Sequence, residues 1–409
     1  MITILELIAI LVVGYLSAHY LIGKLQTRYF FTSGVEYIVL GVLVGPQVTN
    51  VMTREVVAQL LPVMSLALGS IGLIAGLQLR FRDFFEAPPE HYRVAALEML
   101  ITFLLIGGIF AALFWYLMSG GLIGSDKLMA VIPAALALAA TAAVSAQPAI
   151  RGLEEHYHAH GKLSDLLQFA GWFDSLLGII LFGLMFCIFH TGETSGIRPL
   201  TRTEWVAVSL GFGIVLGILF YLFLGREQSA EKLRLALIGI VIFSSGTAYY
   251  LHLSPLFINL VLGVMLANTS RVRRRLLEIL QSFENPLYVV LLVFAGAAWE
   301  MKYIHKWYWI AALVVGYLLL RSVGKYLGGY LSWKTSEEPL AVSRNVGSGL
   351  LSQGVVAVAM LVNYQQVYQN QFTQIVAACV LVSVVINEFI SPKLLKDLLT
   401  GAREIEMAG

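Results

Sequence analysis

Cysteine and charge are scarce in this 409-residue chain, and each scarcity excludes something. The two cysteines, Cys187 and Cys379, both fall inside apolar runs, so neither a disulfide framework nor a cysteine metal cluster is indicated. Charged residues make up only 13% of the chain, against about 25% in an ordinary soluble domain. A net charge of +2 gives no reason to expect nucleic acid as a partner. Gly-x-Ser-x-Gly, His-Glu-x-x-His and paired membrane Asp are missing, which argues against an intramembrane hydrolase and against an enzyme in general. No cofactor is expected. There is no Ser/Pro-rich linker or charged run to divide the chain, and no appended soluble domain is expected. Met1 to Leu25 lacks a basic start and a small-residue cleavage site, so it reads as a retained span rather than a signal peptide.

What the chain does have is apolar length, 58% of its residues being hydrophobic. Short polar breaks separate about thirteen candidate spans, at roughly 2–24, 32–49, 55–79, 92–118, 127–147, 163–190, 203–224, 233–251, 254–269, 284–301, 307–332, 341–364 and 371–392. The class is an all-α polytopic membrane protein. Of the 27 Lys and Arg, six (Arg54, Lys127, Arg198, Arg202, Lys302 and Lys306) fall on one side of this layout. Eighteen fall on the other, and Arg321, Lys325 and Arg344 lie within spans. The positive-inside rule then places the amino terminus outside and the carboxyl terminus in the cytoplasm.

One residue dominates the polar inventory of the spans. Asp174 sits near the middle of the sixth, where a carboxylate costs several kcal/mol unless it has a partner, a water cavity or an ion. We read it as an ion site. Two other spans are unusual: the fifth, with Thr141, Ser145 and Pro148, and the twelfth, with Gly347, Gly349, Ser352, Gln353 and Gly354. Interrupted helices in corresponding positions point to a transporter built from inverted repeats, with its site at the midplane. The simpler alternative is that Gly, Ala and Ser merely allow close helix packing. The repeats would be residues 1–190 and 231–399, with a linker span in 191–230 and a short tail at 400–409.

Neutral oxygens from Thr141, Ser145, Ser352 and Gln353 would suit an alkali cation beside Asp174, although the hydroxyls could equally be bonding back onto their own helices. Arg321 and Lys325 stand four apart, on one face of the eleventh span, and one of them is expected to balance the helix ends at the breaks. Glu98 and Glu388 lie about two turns inside their spans, where they could line a cavity or pair with a base such as Arg344. Arg344 itself reads as an anchor near the membrane surface. The segment Glu154 to His160 holds His156, His158 and His160 and reads as a solvated loop, with metal binding or pH sensing as the alternative.

Six motifs now fall in a familiar order: Gly41 to Pro46, Gly69 to Leu77, Thr141-Ala142 with Gln147, Asp174, Lys325 to Gly328, and Gln353-Gly354. In that order they resemble the monovalent cation:proton antiporter superfamily, over about residues 5–395, and the fifth span is most similar to the KefC-type branch. That branch usually carries a soluble nucleotide-binding domain, which is not found here, so regulation by such a domain is not implied. The resemblance implies an NhaA-like fold in which two broken helices cross, a homodimer, and exchange of H⁺ for Na⁺ or K⁺ at Asp174 in a multi-pass protein of a bacterial inner membrane.

The chain departs from the family pattern at two places. Phe173 stands where relatives usually place Asp, Asn or Gln before the critical Asp, and Thr141-Ala142-Ala143 replaces the Thr-Asp-Pro of sodium-exchanging branches. With one acid at the site, the expected cycle is electroneutral, one proton per cation. Sodium-coupled uptake of an organic anion on a related fold, and a nontransporting sensor, are the competing functions. Thirteen spans with an acid in the sixth disfavour the first, and the want of a signalling domain disfavours the second.

Overall fold

Four helices begin at a side-chain cap that the sequence supplies, and the long ones run as far as the apolar pattern lasts. The architecture is taken from a computed structural model that describes residues 34–119, 128–191, 200–224, 229–270, 272–300, 307–336 and 343–405. In chain order its helices are α1 (Val35–Val44), α2 (Arg54–Gln78), α3 (Phe81–Glu86), α4 (Pro89–Ser119), α5 (Leu128–Ala143), α6 (Gln147–Tyr157), α7 (Lys162–Ile188) and α8 (Arg202–Leu224). They continue as α9 (Ala230–Tyr250), α10 (Pro255–Thr269), α11 (Arg273–Ala297), α12 (Trp307–Thr335), α13 (Val346–Gly349), α14 (Gly354–Val367) and α15 (Gln371–Gly401). Thr53, Ser229 and Ser254 accept bonds from the third amide beyond them, and Asn370 with Thr373 forms a capping box. Among the described residues no strand occurs.

Among the described residues nine helical segments are long and apolar enough to cross a bilayer, and Val35–Val44, Pro255–Thr269 and Gly354–Val367 are shorter apolar helices. These twelve answer to twelve of the thirteen expected spans. The span at 2–24, with the amino terminus, lies outside the described residues, as do Lys24, Arg28, Lys127, Arg198, Arg226, Arg271, Lys302, Lys306 and the last four residues of the tail.

Expected boundaries move at three places, one being the last span, whose helix runs on from 392 to Gly401. The tract Arg273 to Arg275, read as loop, is the first turn of α11, and the segment from Glu154 to Tyr157, also read as loop, is the last turn of α6. His158 ends α6 in the left-handed conformation, at φ 49°. Among the described residues no group of three His, Cys, Asp or Glu is placed to hold a metal ion, so the histidines of this corner form no such site.

The helices sort into two packed groups. In the first, α1 lies on α11 and α2 on α10, with α8 and α9 alongside. In the second, α4 lies on α5 and α12, and α7 and α15 close around the short helices α13 and α14. Polar contacts between helix ends respect two faces. Arg54 pairs with Glu300 at 3.1 Å and Tyr368 donates to Phe189 O at 2.9 Å on one face. On the other, Arg93 donates to Thr335 O at 2.7 Å and Arg273 to Leu77 O at 2.8 Å.

Two spans are interrupted. Between α5 and α6 residues 144–146 carry no helix, and between α13 and α14 the same holds for 350–353. The breaks touch: Ala146 N donates to Ser352 O at 2.9 Å. With 16 residues, α5 reaches about 24 Å at 1.5 Å per residue, short of the ~30 Å hydrocarbon layer. Both interruptions therefore lie at membrane depth, where non-helical backbone is tolerated only inside protein or against a water-filled cavity.

Candidate functional site

Interrupting a helix frees backbone groups, and two bases from one face of α12 meet them. Arg321, fully buried, donates Nε to Ala142 O at 3.0 Å, Nη2 to Val144 O at 3.1 Å and Nη1 to Leu351 O at 2.6 Å. It answers the carbonyl ends of both breaks at once, which are the negative poles of α5 and α13. Lys325, one turn on and also fully buried, reaches Ala143 O at 2.6 Å and Ser145 Oγ at 2.8 Å. The question of which base serves the crossover has a divided answer: Arg321 binds carbonyls, and Lys325 binds carboxylates as well.

Those carboxylates are Glu98 Oε1 at 2.6 Å and Asp174 Oδ2 at 3.2 Å, and all three side chains are fully buried. Ser145 Oγ lies 2.7 Å from Asp174 Oδ2 and 3.1 Å from Leu350 O, and its single hydrogen can serve only one of them. Asp174 Oδ1 has no hydrogen-bond partner in the structure. The ammonium of Lys325 has three hydrogens and four oxygens within reach, of which that of Asp174 is the most distant.

The remaining sequence candidates stand around this centre. Thr141 bonds back to Ala137 O at 2.9 Å and lies 3.3 Å from Tyr317 Oη. Gln353 donates Nε2 to Thr141 O at 2.7 Å and to Tyr317 Oη at 3.0 Å, and accepts from Ser383 Oγ at 2.8 Å. Ser352 donates to Glu388 Oε1 at 3.0 Å. Ser145 therefore touches Asp174, while Thr141, Gln353 and Ser352 form an adjoining shell at the breaks. Arg344 is exposed, with its guanidinium 5.7 Å from the Tyr330 ring. Glu98 takes Lys325 as its partner, in place of the suggested Arg344.

The sequence reading missed Tyr317, and it named Glu98 but not its partner. Tyr317 precedes Arg321 by four residues, so the spacing 317, 321, 325 already marks one face of α12. The approach of Glu98 to Asp174 left no such mark, because it depends on how α4 packs against α12. Glycines make that packing possible: a Cβ on Gly328 would lie 2.5 Å from Glu98 Cα, and one on Gly324 would lie 3.0 Å from Thr102 Cα. Phe173, beside Asp174 in sequence, turns away from the site. Its ring stacks on Phe84 and Phe169, with centroids 6.3 and 5.9 Å apart, and meets Tyr92 edge-on at 6.1 Å.

Two interrupted helices touching at membrane depth, with buried bases on their open carbonyls and a partly unpartnered carboxylate between them, define a secondary ion transporter. Within that class the chain belongs to the sodium/hydrogen exchanger family, whose transmembrane profile matches residues 8–396. The fold is similar to that of the sodium proton antiporter MjNhaP1 from Methanocaldococcus jannaschii. Its structure at pH 8 gives a TM-score of 0.65 at 16% identity, covering 97% of this chain and 98% of that one. A second structure of the same antiporter, from an electron-microscopy map, gives 0.61 at 16% identity, covering 98% and 97%. No curated protein sequence matches the chain.

Proposed function

We propose that the chain exchanges one proton for one monovalent cation at Asp174, exposing this carboxylate in turn to the two faces of the membrane. The observation that carries the reading is the sharing of Lys325. Its contacts to Glu98 and Ala143 O are 2.6 Å, that to Ser145 is 2.8 Å, and that to Asp174 is 3.2 Å. Glu98 and Lys325 offset each other, and Asp174 is left as the carboxylate that a proton or a cation neutralises. Asp174 Oδ1, Ser145 Oγ and the nearby Leu350 carbonyl are oxygens of the kind that replace an alkali cation's hydration shell. Family membership favours Na⁺ as the cation, and the likeness of the fifth span to the KefC-type branch makes K⁺ its competitor.

The expectation of a single acid at the site does not hold, because Glu98 shares Lys325 with Asp174. Electroneutrality therefore requires that Glu98 stay paired with Lys325 throughout the cycle. A second acid is supplied by α4 rather than by the residue before Asp174, and it keeps Lys325 paired when Asp174 turns to its ion. A one-for-one cycle moves no net charge, so the membrane potential, worth about 2.3 kcal/mol per charge per 100 mV, does no work on it. The halves 1–190 and 231–399 are read as inverted repeats, each contributing one interrupted helix.

The test is purified protein in liposomes, with pH and cation gradients set separately. Asp174→Asn is expected to abolish exchange. In the parent, the reversal point should stay fixed when a valinomycin potential is imposed, in assays with Na⁺ as the exchanged cation after K⁺ has been excluded as a substrate. A shift of the reversal point overturns the stoichiometry, and exchange that survives Asp174→Asn overturns the site.

A further inference from the structure

The helix that carries Asp174 begins without a cap of its own. Its N-cap position is Gly161, which has no side chain to offer, so the first amides of α7 must find acceptors elsewhere. They find Glu404. Leu163 N donates to Glu404 Oε1 at 2.8 Å and Ser164 N to Oε2 at 2.9 Å, across about 240 residues of chain. His160 N adds a bond to the Glu404 carbonyl at 3.2 Å.

Local structure is bent to make this contact. After α15 the chain turns through Arg403 at φ 59°, a left-handed conformation uncommon for arginine, and Glu404 N bonds back to Leu399 O at 3.1 Å. Ile405 packs on the apolar cluster that includes Leu153, Leu163, Leu395 and Leu399. Gly161 leaves the room required, since a Cβ there would lie 2.2 Å from Glu404 Cδ. A carboxylate on two amides at a helix start gains from charge-assisted bonding and from the helix dipole.

We propose that Glu404 is a positioning residue: it clamps the end of α15 to the first turn of α7, so that the helix bearing Asp174 and the helix bearing Ser383 and Glu388 move as one. A cap supplied by the helix's own N-cap residue would fix only that helix. A cap supplied from beyond α15 makes the setting of α7 depend on where the following segment lies. The clamp rests on the transport reading for its consequence, but not for its existence.

The experiment compares the full-length parent with Glu404→Ala, Gly161→Ala, their double variant and Glu404→Gln. Amide hydrogen exchange at residues 162–165 should quicken by about two- to thirtyfold in Glu404→Ala, the range expected for a lost helix cap. Gly161→Ala should do the same by evicting the carboxylate, the double variant should add nothing further, and Glu404→Gln, which keeps one accepting oxygen, should fall between. In liposomes the cation KM and the pH profile of exchange should shift in step with the amides. Unchanged amide exchange in Glu404→Ala overturns the clamp. Loosened amides with parental KM and pH profile reduce Glu404 to an ordinary cap and overturn the positioning role. If Glu404→Ala does not fold, Gly161→Ala and Glu404→Gln provide the same comparison. A parent that exchanges no cation for protons refutes the transport reading instead, and the amide measurement then decides the clamp alone.

Discussion

Lys325 and Arg321 are one turn apart and hold different things, so their removal should cost differently. Lys325→Gln leaves Glu98 and Asp174 facing each other without the cation they share, both at 0% exposure. Breaking a buried ion pair by deleting one partner typically costs about 3–5 kcal/mol. Arg321→Gln leaves three carbonyls short of a donor, at about 1–3 kcal/mol for each buried group left unsatisfied. Both variants should melt below the parent in detergent and transport more slowly; a parental melting curve for either would remove it from the crossover. Phe173 is a different case. Its ring is packed among Phe84, Phe169 and Tyr92, so Phe173→Asp would bury an acid in an aromatic cluster instead of placing one beside Lys325. Loss of folded protein is the expected outcome.

Among elements, the glycine motifs prove to be contact surfaces. A Cβ on Gly72 would lie 2.1 Å from Leu256 O and one on Gly76 2.2 Å from Leu260 O, so α2 and α10 meet backbone to backbone. A Cβ on Gly41 would likewise lie 2.0 Å from Val293 O, between α1 and α11. Gly354 is required for another reason: at φ 64° it starts α14 directly after the break, a conformation that side chains rarely adopt. Gly72→Val and Gly354→Ala should each lower the melting temperature, whereas Gly239→Ala, with open space around the new methyl, should not. Equal melting of Gly72→Val and Gly239→Ala would show that α2 and α10 do not pack this closely. The packing explanation of small residues and the broken-helix explanation are thus both correct, at different positions. A Cβ on Gly347 would lie 2.1 Å from Lys325 O, so this glycine serves packing next to a break.

On the scale of the whole molecule, polar contacts between helix ends join loops of one face only, as in the pairs Arg54 with Glu300 and Arg93 with Thr335. From the charge count of the sequence, eighteen basic residues against six, the face of Arg93 is expected to be the cytoplasmic one. A single cysteine placed at position 405 should react with a membrane-impermeant reagent only from the cytoplasmic side, and one at position 50 only from outside. The reverse pattern would invert the whole arrangement.

By itself, the sequence determined the class, the order of the twelve spans among the described residues and the two interruptions, and it marked Asp174 as the candidate central carboxylate. Each of these is written locally, in hydropathy, in start and stop residues and in the cost of a charge at depth, and each can be read without knowing what packs against what. Tertiary structure alone decided that Glu98 shares Lys325 with Asp174, that Phe173 faces away, and that Glu404 caps α7. The physical reason is distance along the chain. Glu98 and Lys325 meet because glycines on α12 let α4 approach, and Glu404 meets Leu163 because Gly161 leaves a gap, and no periodicity within either segment encodes its partner.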